Sequence, residues 1–203
     1  MVKLLYGVIS HQGAYILHEN MLRKLKRDVI RVFTAEDVIK IDALLIPGGE
    51  STTLIKFFDR LDLWDVLRNR IIDGMPVFGT CAGMIILAKD VAEASQKTLG
   101  VLDITVTRMG FGRQVDSFEA KLHSEFLGDK PLNGVFIRAP RIIRTGDNVE
   151  ILVEYENEPV AVRSGQILST SFHPELTDDT RFHARFIEMA EETKKKKCSN
   201  LNV

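Results

Sequence analysis

Two hydrophobic periods alternate along the first half of the chain. Short, mostly apolar runs occupy residues 3–9, 29–33, 43–46 and 75–78, the mark of buried strands. Between them, apolar residues recur at helical spacing over 14–26, 35–40, a stretch running through residue 58, and 64–72. A further apolar, helix-compatible run covers 82–91. Strands and helices taking turns in this way predict parallel pairing through right-handed crossovers.

From about residue 105 the texture changes. Strand-like pieces at 105–109, 117–122 and 135–137 precede three consecutive strands at 150–155, 160–163 and 166–171. The last three are joined by the turns Glu156-Asn157-Glu158-Pro159 and Ser164-Gly165. A closing helix is predicted over 180–196, and residues 197–203 form a polar tail expected to fray. No compositional break marks a linker. The expectation is one α/β domain over residues 1–196, with a mostly parallel central sheet and an antiparallel extension.

Composition narrows the function classes. The 203 residues allow a sizeable core, and 45% hydrophobic with 27% charged content is ordinary for a globular protein. A formal net charge of −1 gives no electrostatic case for binding nucleic acid or a membrane surface. The local basic features are Arg138, Arg141 and Arg144, and the run Lys194, Lys195, Lys196, Lys197, which suits the negative end of a helix dipole. The two cysteines, Cys81 and Cys198, make no disulfide framework. No apolar run reaches membrane-spanning length and the first strand starts at residue 3, so a cytoplasmic location is expected.

Two loops leave the carboxyl ends of predicted strands, the edge where ligands bind in an open α/β sheet: Pro47-Gly48-Gly49-Glu50-Ser51-Thr52 and Gly79-Thr80-Cys81-Ala82-Gly83. The second has the small-x-Cys-x-small form of a nucleophile elbow. Flanking glycines permit a tight strand-to-helix turn that presents the sulfur above the sheet, and the following helix directs its N-terminus at it. A thiol nucleophile needs a base and a group that orients the base. His173, in Ser171-Phe172-His173-Pro174-Glu175, sits at a predicted strand end. In an extended segment Glu175, two residues on, projects to the same side and can bond one ring nitrogen while the other faces Cys81. His11, His18, His123 and His183 are read as surface or capping residues. For an oxyanion hole the elbow offers the amide of Ala82, and Gly48-Gly49 is the candidate for a second donor. Together these parts describe acyl transfer through a thioester. The order Cys, His, Glu differs from the α/β-hydrolases, whose acid precedes the histidine.

The two loops and Phe172-His173-Pro174-Glu175-Leu176 together resemble the signature of triad (class I) glutamine amidotransferases. Three further segments are similar to glutaminase subunits of pyridoxal 5′-phosphate synthases: Gly7-Val8-Ile9-Ser10-His11-Gln12-Gly13, Phe111-Gly112-Arg113-Gln114-Val115-Asp116-Ser117-Phe118-Glu119 and Phe136-Ile137-Arg138-Ala139-Pro140. The resemblance implies a flavodoxin-like three-layer fold and hydrolysis of L-glutamine to L-glutamate and ammonia. The ammonia would pass to a separate synthase subunit in a hetero-oligomer. It implies Cys81 as nucleophile, His173 and Glu175 as its partners, and Gly48, Gly49 and Glu50 as a glutamine-binding loop. Arg108, Ile137 and Arg138 would complete the substrate pocket, with Gly49 and Ala82 facing the oxyanion. Gln12 and its neighbours would face the synthase. No metal or organic cofactor is implied. Competing readings are a glutaminase serving another acceptor, such as imidazole glycerol phosphate synthase, and a non-catalytic binding or redox module built around an elbow cysteine.

Overall fold

In the computed structural model, which describes residues 3–11, 13–92, 95–108 and 117–200, four strands form a parallel heart: β1 (Leu5–Ile9), β2 (Asp28–Val32), β3 (Ala43–Ile46) and β4 (Val77–Thr80). Helices α1 (Tyr15–Lys24), α2 (Ala35–Lys40), α3 (Ser51–Arg60) and α4 (Trp64–Ile72) make the crossovers. Local chemistry starts α2: the Thr34 hydroxyl accepts from the Asp37 amide while the Asp37 carboxylate accepts from the Thr34 amide, a capping box. After β4 comes the short helix α5 (Ala82–Leu87). Three later strands, β10 (Glu150–Tyr155), β11 (Glu158–Ser164) and β12 (Ile167–Thr170), extend the sheet, giving the order β10-β11-β12-β4-β3-β1-β2. Strand β12 runs parallel to β4, with Thr170 opposite Thr80, and only the β10-β11-β12 pairings are antiparallel.

Both faces of the parallel strands are covered, so successive residues alternate between two cores. Tyr6, Val8, Ala43, Leu45 and Phe78 point to one core, where they meet Leu22 of α1 and Phe182 and Phe186 of the last helix, α6 (Arg181–Asn200). Ile9, Leu44, Ile46 and Val77 point to the other and meet Val38, Leu54, Phe58, Leu67 and the residues of α5. The result is a three-layer fold with a mixed, mostly parallel sheet.

Several expected elements end elsewhere. The run 82–91 is helical only to Leu87. Residues Ala88–Val91 form β5, which pairs with β6 (Leu102–Thr107) and leaves Lys89 and Asp90 exposed. The third member of that small sheet, β9 (Arg141–Thr145), has no alternating pattern to announce it: Arg141, Ile143 and Arg144 are exposed and only Ile142 is buried. Arg144 pairs with Asp103 at 2.9 Å and Arg141 with Glu158, so these two belong to individual ion pairs rather than to a basic patch. The strand expected at 135–137 is the end of a longer one, β8 (Gly128–Ile137), in a hairpin with β7 (Ser117–Ser124). The closing helix continues through Asn200, with Lys194 paired to Asp42 and Lys197 donating to the Asp73 carbonyl.

Candidate active site

Strand β4 ends in a sharp turn at Cys81, which has φ 48° and ψ −104°. A non-glycine residue at such positive φ stores strain on the order of 1–3 kcal/mol and persists only where its surroundings impose it. Here the Cys81 amide donates to the Thr170 carbonyl at 2.8 Å, tying the turn to β12. The elbow glycines explain how the helix gets so close to the sheet. A methyl on Gly83 would lie 2.1 Å from the Ile46 carbonyl oxygen, and one on Gly79 would lie 2.5 Å from Leu87 Cδ1. Neither position accepts a side chain without moving α5. As first residue of α5, Ala82 has no intrahelical acceptor for its amide.

His173 follows β12 and is anchored by its amide, which donates to the Val135 carbonyl of β8 at 2.8 Å. Its Nδ1 lies 2.7 Å from Glu175 Oε1. The route to that contact is not the extended segment expected. Residues Pro174–Leu176 form a single 3-10 turn, which swings the carboxylate back under the ring. Both residues are buried. Burial alone would lower the pKa of His173, but hydrogen bonds with Cys81 and Glu175 outweigh it and hold the imidazole up to about 10. For Glu175 burial likewise opposes ionisation, and the His18 and His173 rings beside it hold its carboxyl well below the usual range. Cys81 Sγ lies 3.7 Å from the Ile137 carbonyl, which it faces as a weak donor.

His18 and His183 are not surface or capping residues. Both are fully buried. His18 Nδ1 is 2.9 Å from His183 Nε2, and His18 Nε2 is 3.1 Å from Thr80 Oγ1 and 3.5 Å from Glu175 Oε1. Nothing in the short-range pattern of α1 marks His18 as buried. The one signal available was its i+3 distance from Tyr15 and i+4 distance from Leu22 on the inward stripe of that helix. His11 and His123 are exposed, and His11 stacks on Phe57 with ring centres 4.3 Å apart.

A pocket of about 210 Å³ opens above the sulfur, the scale of a small metabolite rather than of a drug-sized ligand. Gly48, Gly49, Glu50, Cys81, Arg108, Ile137, Arg138 and His173 all line it. Glu175 and Ala82 lie behind this wall. Gly48 packs so closely against His173 and Cys81 that a methyl there would sit 2.3 Å from His173 Cε1. Its amide is taken by Thr80 Oγ1 at 3.1 Å, which leaves the next amide, that of Gly49, as the donor this loop can offer. Gly49 has φ 145°, a conformation that favours glycine. Arg108 and Glu50 form an ion pair at 2.9 Å across the mouth. Arg138 adopts φ 43°, a second strained non-glycine position in the same wall. Gln12 and residues 111–116 of the expected Phe-Gly-Arg-Gln segment lie outside the described residues.

The fold has counterparts among known proteins. Pyridoxal 5′-phosphate synthase subunit PdxT of Fervidobacterium nodosum is 46% identical over 192 residues, covering 95% of this chain and 100% of that protein. The protein of the same name from Thermotoga maritima is 49% identical over 183 residues, covering 90% of this chain and 97% of its own length. A crystal structure described as a glutamine amidotransferase superposes with a TM-score of 0.87 at 44% identity, over 92% of this chain and 98% of that one. A model of the SNO glutamine amidotransferase family matches residues 8–192, from within β1 to the last helix. With elbow, buried histidine and glycine loop all inside that span, the chain belongs to the SNO glutamine amidotransferase family.

Proposed function

We propose that this chain hydrolyses L-glutamine to L-glutamate and ammonia through a thioester on Cys81, supplying ammonia to a pyridoxal 5′-phosphate synthase subunit with which it forms a hetero-oligomer. The unit that does this is a single domain over residues 1–196, working in the cytoplasm. No helix among the described residues is long and apolar enough to cross a membrane.

The observation that carries the reading is the strained Cys81 beside the buried His173, whose Nδ1 is held by Glu175. The sulfur attacks the side-chain amide carbon of glutamine while His173 keeps the proton. Negative charge develops on the amide oxygen, facing the amides of Ala82 and Gly49. The tetrahedral adduct collapses with breakage of the C–N bond, and His173 delivers its proton to the departing ammonia. The neutral imidazole then takes a proton from water, whose oxygen attacks the thioester. Glutamate leaves and the thiol is restored. At the far end of the pocket Arg108, Arg138 and the Ile137 backbone hold the α-carboxylate, and Glu50 the α-ammonium. Since Glu50 and Arg108 already pair with each other, substrate must part them, exchanging one ion pair for two.

The test is steady-state glutamate release by the chain alone and with the synthase subunit. Cys81→Ser, a nearly isosteric change, should lower kcat at least about 10³-fold and leave co-elution with the synthase intact. A mass spectrum after treatment with a glutamine-mimicking electrophile should show one adduct, on Cys81. Modification mainly at the exposed Cys198, with activity lost, overturns the assignment.

A further inference from the structure

Beneath the triad, on the side away from the pocket, lie three fully buried polar side chains that no reaction step uses: His18 of α1, Thr80 at the end of β4 and His183 in the first turn of α6. They come from three different elements, yet their contacts have one consistent direction. Glu175, ionised, can only accept hydrogen bonds. The proton of His18 therefore sits on Nε2, which faces Glu175 Oε1 at 3.5 Å and Thr80 Oγ1 at 3.1 Å. That leaves Nδ1 of His18 as an acceptor, and it receives Nε2–H of His183 at 2.9 Å. His183 Nδ1 is then a bare lone pair, and it has no partner among the described residues. An N–H buried there would cost more, and burial holds this imidazole neutral, with its pKa down to about 3. Phe78 presents its ring edgewise to both histidines, at 6.2 and 5.6 Å between centres, which sets their tilt.

We propose that His18 is a positioning residue for glutamine hydrolysis: its Nε2–H holds the Glu175 carboxylate that orients His173, and the Thr80 hydroxyl that holds the Gly48 amide. The inference rests on the triad reading above. Glu175 Oε2 has no partner among the described residues, so the compensation of this buried charge falls on His173 and His18, both at Oε1. Thr80 Oγ1 is the acceptor for the Gly48 amide at 3.1 Å, and Gly48 touches the His173 ring. One side chain on α1 thus braces both the base and the glycine loop. A core-filling histidine would need neither contact.

Two substitutions separate these roles. His18→Gln places an amide N–H near the position of Nε2, whereas His18→Asn reaches only the position of Nδ1. Glutamate release by the full chain with its synthase subunit gives kcat and KM, and thermal denaturation reports folding. His18→Gln should stay within about threefold of the parent. His18→Asn should lose about 10- to 100-fold in kcat with KM within about twofold. Combined with Glu175→Gln, the loss from His18→Asn should be clearly smaller than in the parent, since the part exerted through the Glu175 carboxylate is already gone and only the part through Thr80 remains. Equal kcat for the two His18 variants, or losses that multiply in the double variant, overturns the proposal. Glu175→Gln by itself separates the two readings. Undiminished turnover there overturns the triad, while an impaired Glu175→Gln beside a normal His18→Asn overturns only the role of His18. Should neither His18 variant fold, Thr80→Val removes the shared hydroxyl at nearly constant volume, and an unchanged kcat overturns the proposal.

Discussion

On one face of the central sheet Leu44, Ile46 and Val77 meet Leu54, Phe58 and Leu67, an aliphatic and aromatic packing. On the other face Phe78 shares its layer with Thr80, His18 and His183, which lead to Glu175 and the pocket. Both faces carry an apolar core, but only the second adds this buried polar cluster, and the two kinds of packing obey different physics. Apolar burial is non-directional, scales with area, and tolerates substitutions that conserve volume. Buried polar groups stabilise only when every donor has its acceptor, so one lost partner leaves an uncompensated group in a low-dielectric setting. The apolar face gives the strands a rigid edge. The polar face uses that edge to hold charge next to a thiol.

The largest expected effect tests the polar face. Glu175→Gln should lower kcat by roughly 10²–10⁴-fold, by analogy with removing the orienting acid of a serine triad. Steady-state glutamate release measures it, and a kcat within twofold of the parent would mean that another carboxylate orients His173.

A change confined to the apolar face should behave in the opposite way. Leu67 is fully buried on α4, within the core of this face. Leu67→Ala should cost about 2–5 kcal/mol of stability in urea denaturation and leave kcat per folded molecule unchanged. A parallel loss of kcat would show that the two faces are coupled through the sheet.

The smallest effect is a pH dependence that belongs to the polar face alone. Burial, with His18 beside it, holds the His183 imidazole down to about 3 against an ordinary 6.5. As pH falls through that window the unfolded chain takes up a proton that the folded one refuses, so stability falls with pH. Glu175, its carboxyl held low by the His18 and His173 rings against burial, adds to this loss below its ordinary value of 4.5. His173 works the other way. Despite burial, its bonds to Cys81 and Glu175 hold it up to about 10, so its contribution is full below 6.5 and is lost as pH rises toward 10. Tm should therefore peak near pH 6.5, and His183→Gln should flatten the acid limb only. A Tm that is flat from acid to alkali would remove the electrostatic distinction between the faces.

Much of the parallel half could be read in advance. Residues 35–40, 43–46 and 64–72 carry their elements at the expected bounds, because period and capping are local properties. The later half was less legible. In β9 two arginines and the exposed Ile143 surround a single buried residue, Ile142, so no alternation shows, and β8 reads as polar until Leu132. Cys81, His173, Glu175, Gly48, Gly49 and Arg138 stand out as motif residues, and the fold brings them to one edge. The segment around Glu175 is a turn rather than an extended strand, a distinction that a proline-containing tetrapeptide does not announce.

By itself the sequence determines most elements of the parallel half, where the elbow falls, and which family the chain resembles. These rest on neighbours a few positions apart. Only the tertiary structure decides that His18 meets His183, 165 positions away, that Arg108 pairs with Glu50 across 58, and that Thr80 serves Gly48 and His18 together. A histidine's immediate neighbours set the helix it rides on. Its burial, its tautomer and its partner are set by what packs against that helix, and that is a property of the folded chain.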